Sequence, residues 1–291
     1  MNKHLPPELG RCVLAGDFAN GTSEWHELRT DALGGSDVSV ALGLSPWRSA
    51  YSLWAEKTGR VIPEALSSDP VRLGQLLEDP LLQMFQEKHP ELEVFKTGTY
   101  RDGWRLANPD ALARHRYTGE WFVIEVKTSS MPMHQIPIHY EAQVMWYQHL
   151  LCIDKAYLVG LAAGRWIEHF QDYDEFAGQA IEATAERFWN HVTQNVRPEW
   201  DGSESTYETV RREVLSVEDS SVNLGDLGVH LMNAWSDFES AEKKLNELKS
   251  RVLAEMGESK FGVVDIDEVP ASRIVSRQVG RNGIPYLRKV K

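Results

Sequence analysis

The apolar positions of this chain repeat with two different periods, and the switches between them mark out its elements. Across residues 70–89, Val71, Leu73, Leu77, Leu81, Leu82 and Phe85 recur at helical spacing, which predicts a helix with one apolar stripe and leaves Glu78 off it. Residues 93–100 and 121–128 are rich in β-branched and aromatic types and predict strands. A helix is expected over 138–151, a buried strand over 156–163 and another helix over 174–195. Upstream, Gly34 and Gly35 precede a helix over 36–42, where Ser36 or Asp37 can cap the first backbone N–H groups. In the tail, Leu231, Trp235, Phe238, Ala241, Leu245, Leu248, Val252 and Met256 are spaced at threes and fours. Such a stripe ordinarily packs into a core; the alternative is a coiled arm that contacts a partner chain. The last segment alternates in places, with Asn282-Gly283 as a hairpin turn.

Strands flanked by helices give an α/β (α+β) class, a central mixed sheet covered by helices, followed by a long C-terminal helix and a small β segment. The turn-rich stretch at 197–203 ends the periodic structure, so the expected domains are a catalytic one over 1–200 and an appendage over 201–291. Charged residues at 25% and apolar residues at 42% are the mixture of a soluble globular protein. The longest apolar run, within 156–163, is too short to span a bilayer, and residues 1–10 lack the pattern of a signal peptide. A cytoplasmic protein with no membrane partner is expected. Two cysteines, Cys12 and Cys152, cannot build a zinc or four-cysteine iron–sulfur site within one chain. A net charge of −12 argues against non-specific coating of nucleic acid but allows a local grip, and the six basic residues over 271–291 face no acid there.

The strand over 121–128 is apolar on both faces except for Glu125 and Lys127. Side chains alternate with a period of two, so this acid and this base emerge together at the polar end of the strand. Asp110 stands upstream, behind Pro109, which stiffens the turn ahead of it. Two carboxylates converging beside one lysine form a hard-cation site, since Mg²⁺ takes oxygen ligands and keeps several waters. In phosphodiester hydrolysis Asp110 and Glu125 would hold Mg²⁺, with Mn²⁺ as a substitute and the Val126 carbonyl as a further ligand. Lys127 would orient and stabilise the attacking hydroxide. Taken alone, an acid and a lysine on one strand face are more often a solvated ion pair.

Context changes that weighting. The chain reads Trp25-His26-Glu27-Leu28-Arg29 through Gly34-Gly35-Ser36-Asp37, then Leu42-Gly43-Leu44-Ser45-Pro46-Trp47 and Leu53-Trp54-Ala55-Glu56-Lys57-Thr58-Gly59. It continues with Gly74-Gln75-Leu76-Leu77-Glu78, Asn108-Pro109-Asp110, Glu125-Val126-Lys127 and Tyr140-Glu141-Ala142-Gln143. In this order the motifs resemble the YqaJ-type viral recombinase family, which includes the lambda-type phage exonucleases. The resemblance implies a restriction-endonuclease-like core that digests linear duplex DNA from 5′ ends and leaves 3′ single strands for recombination. It implies Asp110, Glu125 and Lys127 as the metal and water centre, Glu78 as an additional acid, and Arg29, Ser36, Asn108 and Gln143 as a 5′-phosphate pocket. The implied partners are duplex DNA ends, a single-strand annealing protein and further copies of the chain in a ring, a trimer being the suggested stoichiometry. The implied setting is the cytoplasm of a bacterial host, from a phage or prophage gene.

Two departures from the lambda-type relative stand out. Asn108 occupies the place of a phosphate-binding serine, and the interval from Asp110 to Glu125 is longer, with residues 112–118 expected as a hairpin loop. His134 and His139, five apart with Pro137 between, suit a loop lining the DNA path better than a metal site. Trp47, Tyr51 and Trp54 are expected in the core, with a base-stacking wedge as the lesser role. Competing readings are a related endonuclease or opposite-polarity nuclease, and a non-catalytic DNA-end-binding scaffold.

Overall fold

The computed structural model describes residues 5–16, 18, 22–62, 68–214, 216–266 and 269–290, in two compact units, Met1–Val217 and Glu218–Lys291. In the first unit the elements run β1 (Glu8–Leu9), β2 (Cys12–Gly16), α1 (Ser23–Thr30), α2 (Gly35–Ala41), α3 (Ala50–Lys57) and α4 (Asp69–Lys88). There follow β3 (Leu92–Lys96), β4 (Thr99–Asp102), β5 (Arg105–Ala107), β6 (Ala111–His115), β7 (Trp121–Ser129) and α5 (Ile138–Leu151). The unit ends with β8 (Lys155–Ala162), β9 (Arg165–Asp172), α6 (Glu175–Thr193) and α7 (Glu204–Glu213).

A five-stranded sheet of order β3-β6-β7-β8-β9 carries the site. Only β7 and β8 are parallel, in register from Phe122↔Lys155 to Ser129↔Ala162, and α5 supplies the crossover that a parallel pair requires. Alternate residues of β7 enter two cores. Phe122 and Ile124 pack with Leu82 and Phe85 of α4, while Val123 packs with the group that includes Val144 and Trp146 of α5. Helices thus cover both faces, which is why the strand reads as an unbroken apolar run. By the same alternation Glu125 and Lys127 share the face of Val123, toward α5.

Three expectations change in this unit. Residues 93–100 are two strands, because β3 pairs with β6 whereas β4 pairs with β2 in a separate sheet of order β1-β2-β4-β5. Residues 112–115 belong to β6 and not to a loop: Ala111, Leu112 and Ala113 are fully buried, and the connection to β7 is left to 116–120. Along α4 only the C-terminal part of the stripe, Leu81, Leu82 and Phe85, is buried, while Leu73 is exposed.

The turn at 197–203, expected to close the catalytic domain at 200, is followed by one more helix of the same unit. Ser203 caps α7, Thr206 Oγ1 donates to Ser49 Oγ at 2.7 Å, and Tyr51 OH donates to Glu213 at 2.6 Å, docking α7 on α3.

The second unit consists of α8 (Asp226–Met256), β10 (Phe261–Ile266), β11 (Val269–Val279) and β12 (Pro285–Lys289), the strands pairing antiparallel in that order. The stripe on α8 is exposed and not core: Leu231, Trp235, Phe238, Leu245 and Leu248 all face solvent, and Met256 is the helix's buried residue. Asn282-Gly283 forms the β11–β12 turn, where Ile284 N–H donates to Asn282 Oδ1 at 3.2 Å and Gly283 takes φ +76°.

Candidate active site

Asp110 lies just before β6, which pairs with β7 through Ala111↔Ile124, and this register brings its carboxylate to the middle of β7. Its Oδ2 accepts the Val126 N–H at 2.7 Å. Glu125, 2% exposed, points from β7 toward α5, where its Oε1 accepts from Lys127 Nζ at 2.5 Å and from Gln143 Nε2 at 2.7 Å. The Lys127 ammonium lies over the Tyr140 ring, 5.0 Å from its centroid. The structure therefore brings Asp110, Glu125, Val126, Lys127 and Gln143 together. Gly160 of β8 permits this packing, since a Cβ there would sit 1.8 Å from the Lys127 carbonyl oxygen.

The electrostatics are those of acids short of positive charge. Burial, together with the neighbouring Glu125, pushes the Asp110 carboxyl well above its ordinary range, and burial raises Glu125 as well. Burial alone would lower Lys127, but Glu125 and Asp110 outweigh it and hold the ammonium charged. Glu78 of α4 adds to the negative potential on both acids and is itself paired with Lys96 at 3.3 Å. Glu125 Oε2 is buried and has no hydrogen-bond partner. An unpartnered carboxylate oxygen beside a second, half-buried carboxylate is an all-oxygen donor set that fits a hard divalent cation. Among the described residues no group of three His, Cys, Asp or Glu side chains converges. Asp110 and Glu125 are the carboxylates at this site that could hold such an ion.

Arg29 and Ser36 meet on the other side of Gln143. Arg29 donates to Ser36 Oγ at 3.2 Å and to Asp37 Oδ2 at 2.9 Å. Gln143 Nε2 also donates to Tyr147 OH at 3.1 Å, and the Tyr147 ring fills the space where a Cβ on Gly35 would stand, 2.7 Å away. Gln143 braces Glu125 and links it through Tyr147 to the start of α2. Asn108 accepts from Thr99 Oγ1 at 2.8 Å through its side-chain oxygen, which leaves the amide N–H groups as donors.

Sequence reasoning missed the centre of this pocket. Asp37, read as a helix cap, does accept the Gly34 N–H, but it is also a buried hub for Arg29, Arg48 and Lys57. Lys57, 8% exposed on its side chain, further donates to the carbonyls of Arg29 and Ala32. These cations outweigh the cost of burial and hold Asp37 far below the usual carboxylate range. Tyr147 was missed too, although its place four residues after Gln143 on a helix was a usable signal. Tyr51 and Trp54 are core residues as expected, whereas Trp47 is 65% exposed and meets His139 edge-on at 5.0 Å. His139 Nε2 is buried without a partner.

Residues 24–150 match the YqaJ-like viral recombinase domain. The chain is 27% identical to protein YqaJ of Bacillus subtilis (strain 168) over 287 residues, covering 92% of this chain and 88% of that one. The crystal structure of an alkaline exonuclease, LHK-Exo, from Laribacter hongkongensis superposes with a TM-score of 0.50 at 16% identity, over 60% of this chain and 94% of that one. That likeness is one of fold, and the first unit has the restriction-endonuclease-like core with a mixed sheet that its motifs imply. Residues 24–150, the segment similar to the YqaJ-like viral recombinase domain, hold every candidate site residue from Arg29 to Gln143.

Proposed function

We propose that this protein is a Mg²⁺-dependent exonuclease that degrades linear duplex DNA from 5′ ends and leaves 3′ single strands for recombination. The observation that carries this reading is the buried, unpartnered Glu125 oxygen beside Asp110, with the Lys127 ammonium held on the same carboxylate. When bound, a divalent cation supplies Lewis acidity and an acidified water. Asp110, braced by the Val126 N–H, and Glu125, braced by Gln143, would hold it, with the Val126 carbonyl as a further ligand. Lys127 stays protonated, orients the attacking water and stabilises the charge that grows on the scissile phosphate. Glu78 completes the acidic rim. Arg29, Ser36, Asn108 and Gln143 receive the terminal 5′-phosphate, with Arg29 held by Asp37 and bringing a planar fork of donors suited to phosphate.

The likeness in fold to the Laribacter alkaline exonuclease supports an end-dependent nuclease. The setting that goes with it is the cytoplasm of a bacterial host carrying a phage or prophage, with a single-strand annealing protein as partner. Among the described residues no helix is long and apolar enough to cross a membrane. The test is digestion of duplexes labelled at one end or the other, with and without a 5′-phosphate, in Mg²⁺ or Mn²⁺. Release from the 5′-labelled end, faster with the phosphate, is expected; vigorous cutting of closed circular DNA would reject end dependence. Lys127→Ala is expected to lower turnover by roughly 10²–10³-fold, the scale of one lost electrostatic stabiliser, while duplex binding persists.

A further inference from the structure

We infer that α8 is one half of an antiparallel coiled coil formed with a second copy of this chain. From Leu227 to Val252 the residues that follow one another in alternating steps of four and three are apolar throughout, which is a heptad seam and not merely an amphipathic face. Its large members, Leu227, Leu231, Phe238, Leu245 and Leu248, are between 43% and 68% exposed, so the seam is unfilled within one chain from Leu227 to Leu248, while Val252 at its end is half-buried.

The seam identifies its own partner. Laid antiparallel on a second copy, it forms layers Leu227 with Val252, Leu231 with Leu248, Ala234 with Leu245 and Phe238 with Ala241, each occurring twice by symmetry. Small residues then face large ones, which keeps the layer volume even. In the same register Asp237 flanks Lys244 of the other copy on both sides of the twofold axis, and no like charges meet. The parallel arrangement sets Asp237 against Glu242 and Lys244 against Lys249, and stacks Phe238 on Phe238 and Ala241 on Ala241. Self-complementarity in charge and size therefore selects an antiparallel pair of identical helices over a parallel one.

Light scattering on the full chain, paired with cysteine cross-linking, tests this. An even multiple of the chain mass is expected for the unchanged protein, and Leu245→Glu, at an exposed site, is expected to halve it with circular dichroism preserved. A mass that Leu245→Glu does not change overturns the proposal. In a Cys152→Ser background, Ala234→Cys with Leu245→Cys is expected to oxidise to a covalent dimer, since the two positions lie about 16 Å apart along one helix at ~1.5 Å per residue and cannot bridge within a chain. Ala241→Cys alone is expected to stay uncrosslinked; efficient dimerisation through it would show the parallel form and overturn the proposal. Asp237→Lys is expected to weaken association severalfold and Asp237→Lys with Lys244→Asp to restore it, whereas strengthening by Asp237→Lys would again mark the parallel form.

Discussion

Glu125 is buried and Asp110 half-buried, with one ammonium group, Lys127, bonded to Glu125, so in the absence of a cation the site holds more negative charge than its surroundings stabilise. Replacing Asp110 with Asn removes one charge and keeps an oxygen to accept the Val126 N–H. Relief of that repulsion is expected to stabilise the cation-free protein by about 1–2 kcal/mol, which raises the melting temperature by roughly 2–8 °C for a domain of this size. Hydrolysis is expected to be lost in the same variant, and Mg²⁺ is expected to raise the melting temperature of the unchanged protein but not of the variant. A variant that melts lower than the parent in EDTA would contradict this account of the site. Asp37 behaves in the opposite sense. Asp37→Asn strands Arg29, Arg48 and Lys57 with Glu56 as the remaining nearby acid, and is expected to cost about 3 kcal/mol at neutral pH by urea denaturation. Because the folded-state pKa of Asp37 is depressed, its contribution is complete above the unfolded value near ~4 and is lost as pH falls toward the folded one. The gap between Asp37→Asn and the parent should therefore narrow in acid and widen toward neutrality. Glu125 and Lys127 were legible in the sequence because a strand fixes which side chains share a face, and Asp110 through the Asn108-Pro109-Asp110 motif of the family that the chain resembles. The Asp37 hub was not, since its three cations come from α1, the α2–α3 loop and α3, and only the folded chain makes them neighbours.

At the scale of elements the site depends on the pairing of β7 with β8, whose backbones meet closest where Gly160 faces Lys127. Gly160→Ala places a methyl group 1.8 Å from the Lys127 carbonyl oxygen, a contact that backbone must move to relieve. The expected cost is about 3 kcal/mol or more by urea denaturation, beyond ordinary overpacking because the obstacle is main chain. Activity should fall further than stability accounts for, as Glu125 and Lys127 shift with the strand; a fully active, equally stable variant would refute the packing argument. The same elements show why some of the fold was readable. β7, α5 and β8 were legible because each is covered on all sides and its apolar run is long. The split of β3 from β4 was not, because the residues on either side of Thr97-Gly98 are equally strand-like and only their partners in different sheets divide them. Residues 112–115 read as a loop from Arg114 and His115, although Ala111, Leu112 and Ala113 are small or apolar enough to lie inside. On α8 periodicity correctly predicted the helix, but it does not distinguish a stripe that meets its own core from one that meets another chain.

Across the whole molecule the two units contribute unequally to stability. Among the described residues every buried apolar side chain except Met256 lies within Met1–Val217, so the cooperative core belongs to the first unit. The second unit offers one helix with an exposed seam and a three-stranded sheet, which is little apolar burial for its length. The main thermal transition of the full chain should therefore report the first unit alone. A chain ending at Val217 is expected to fold and to melt within about 3 °C of the parent, a difference below roughly 1 kcal/mol for a domain of this size. It should retain cleavage of short linear duplexes, because every candidate residue from Arg29 to Gln143 remains. It should also lose whatever association α8 provides, which light scattering reads independently of nuclease activity. A truncated chain that melts far below the parent would mean that the tail completes the nuclease core, and the division of labour between catalysis and association would have to be redrawn.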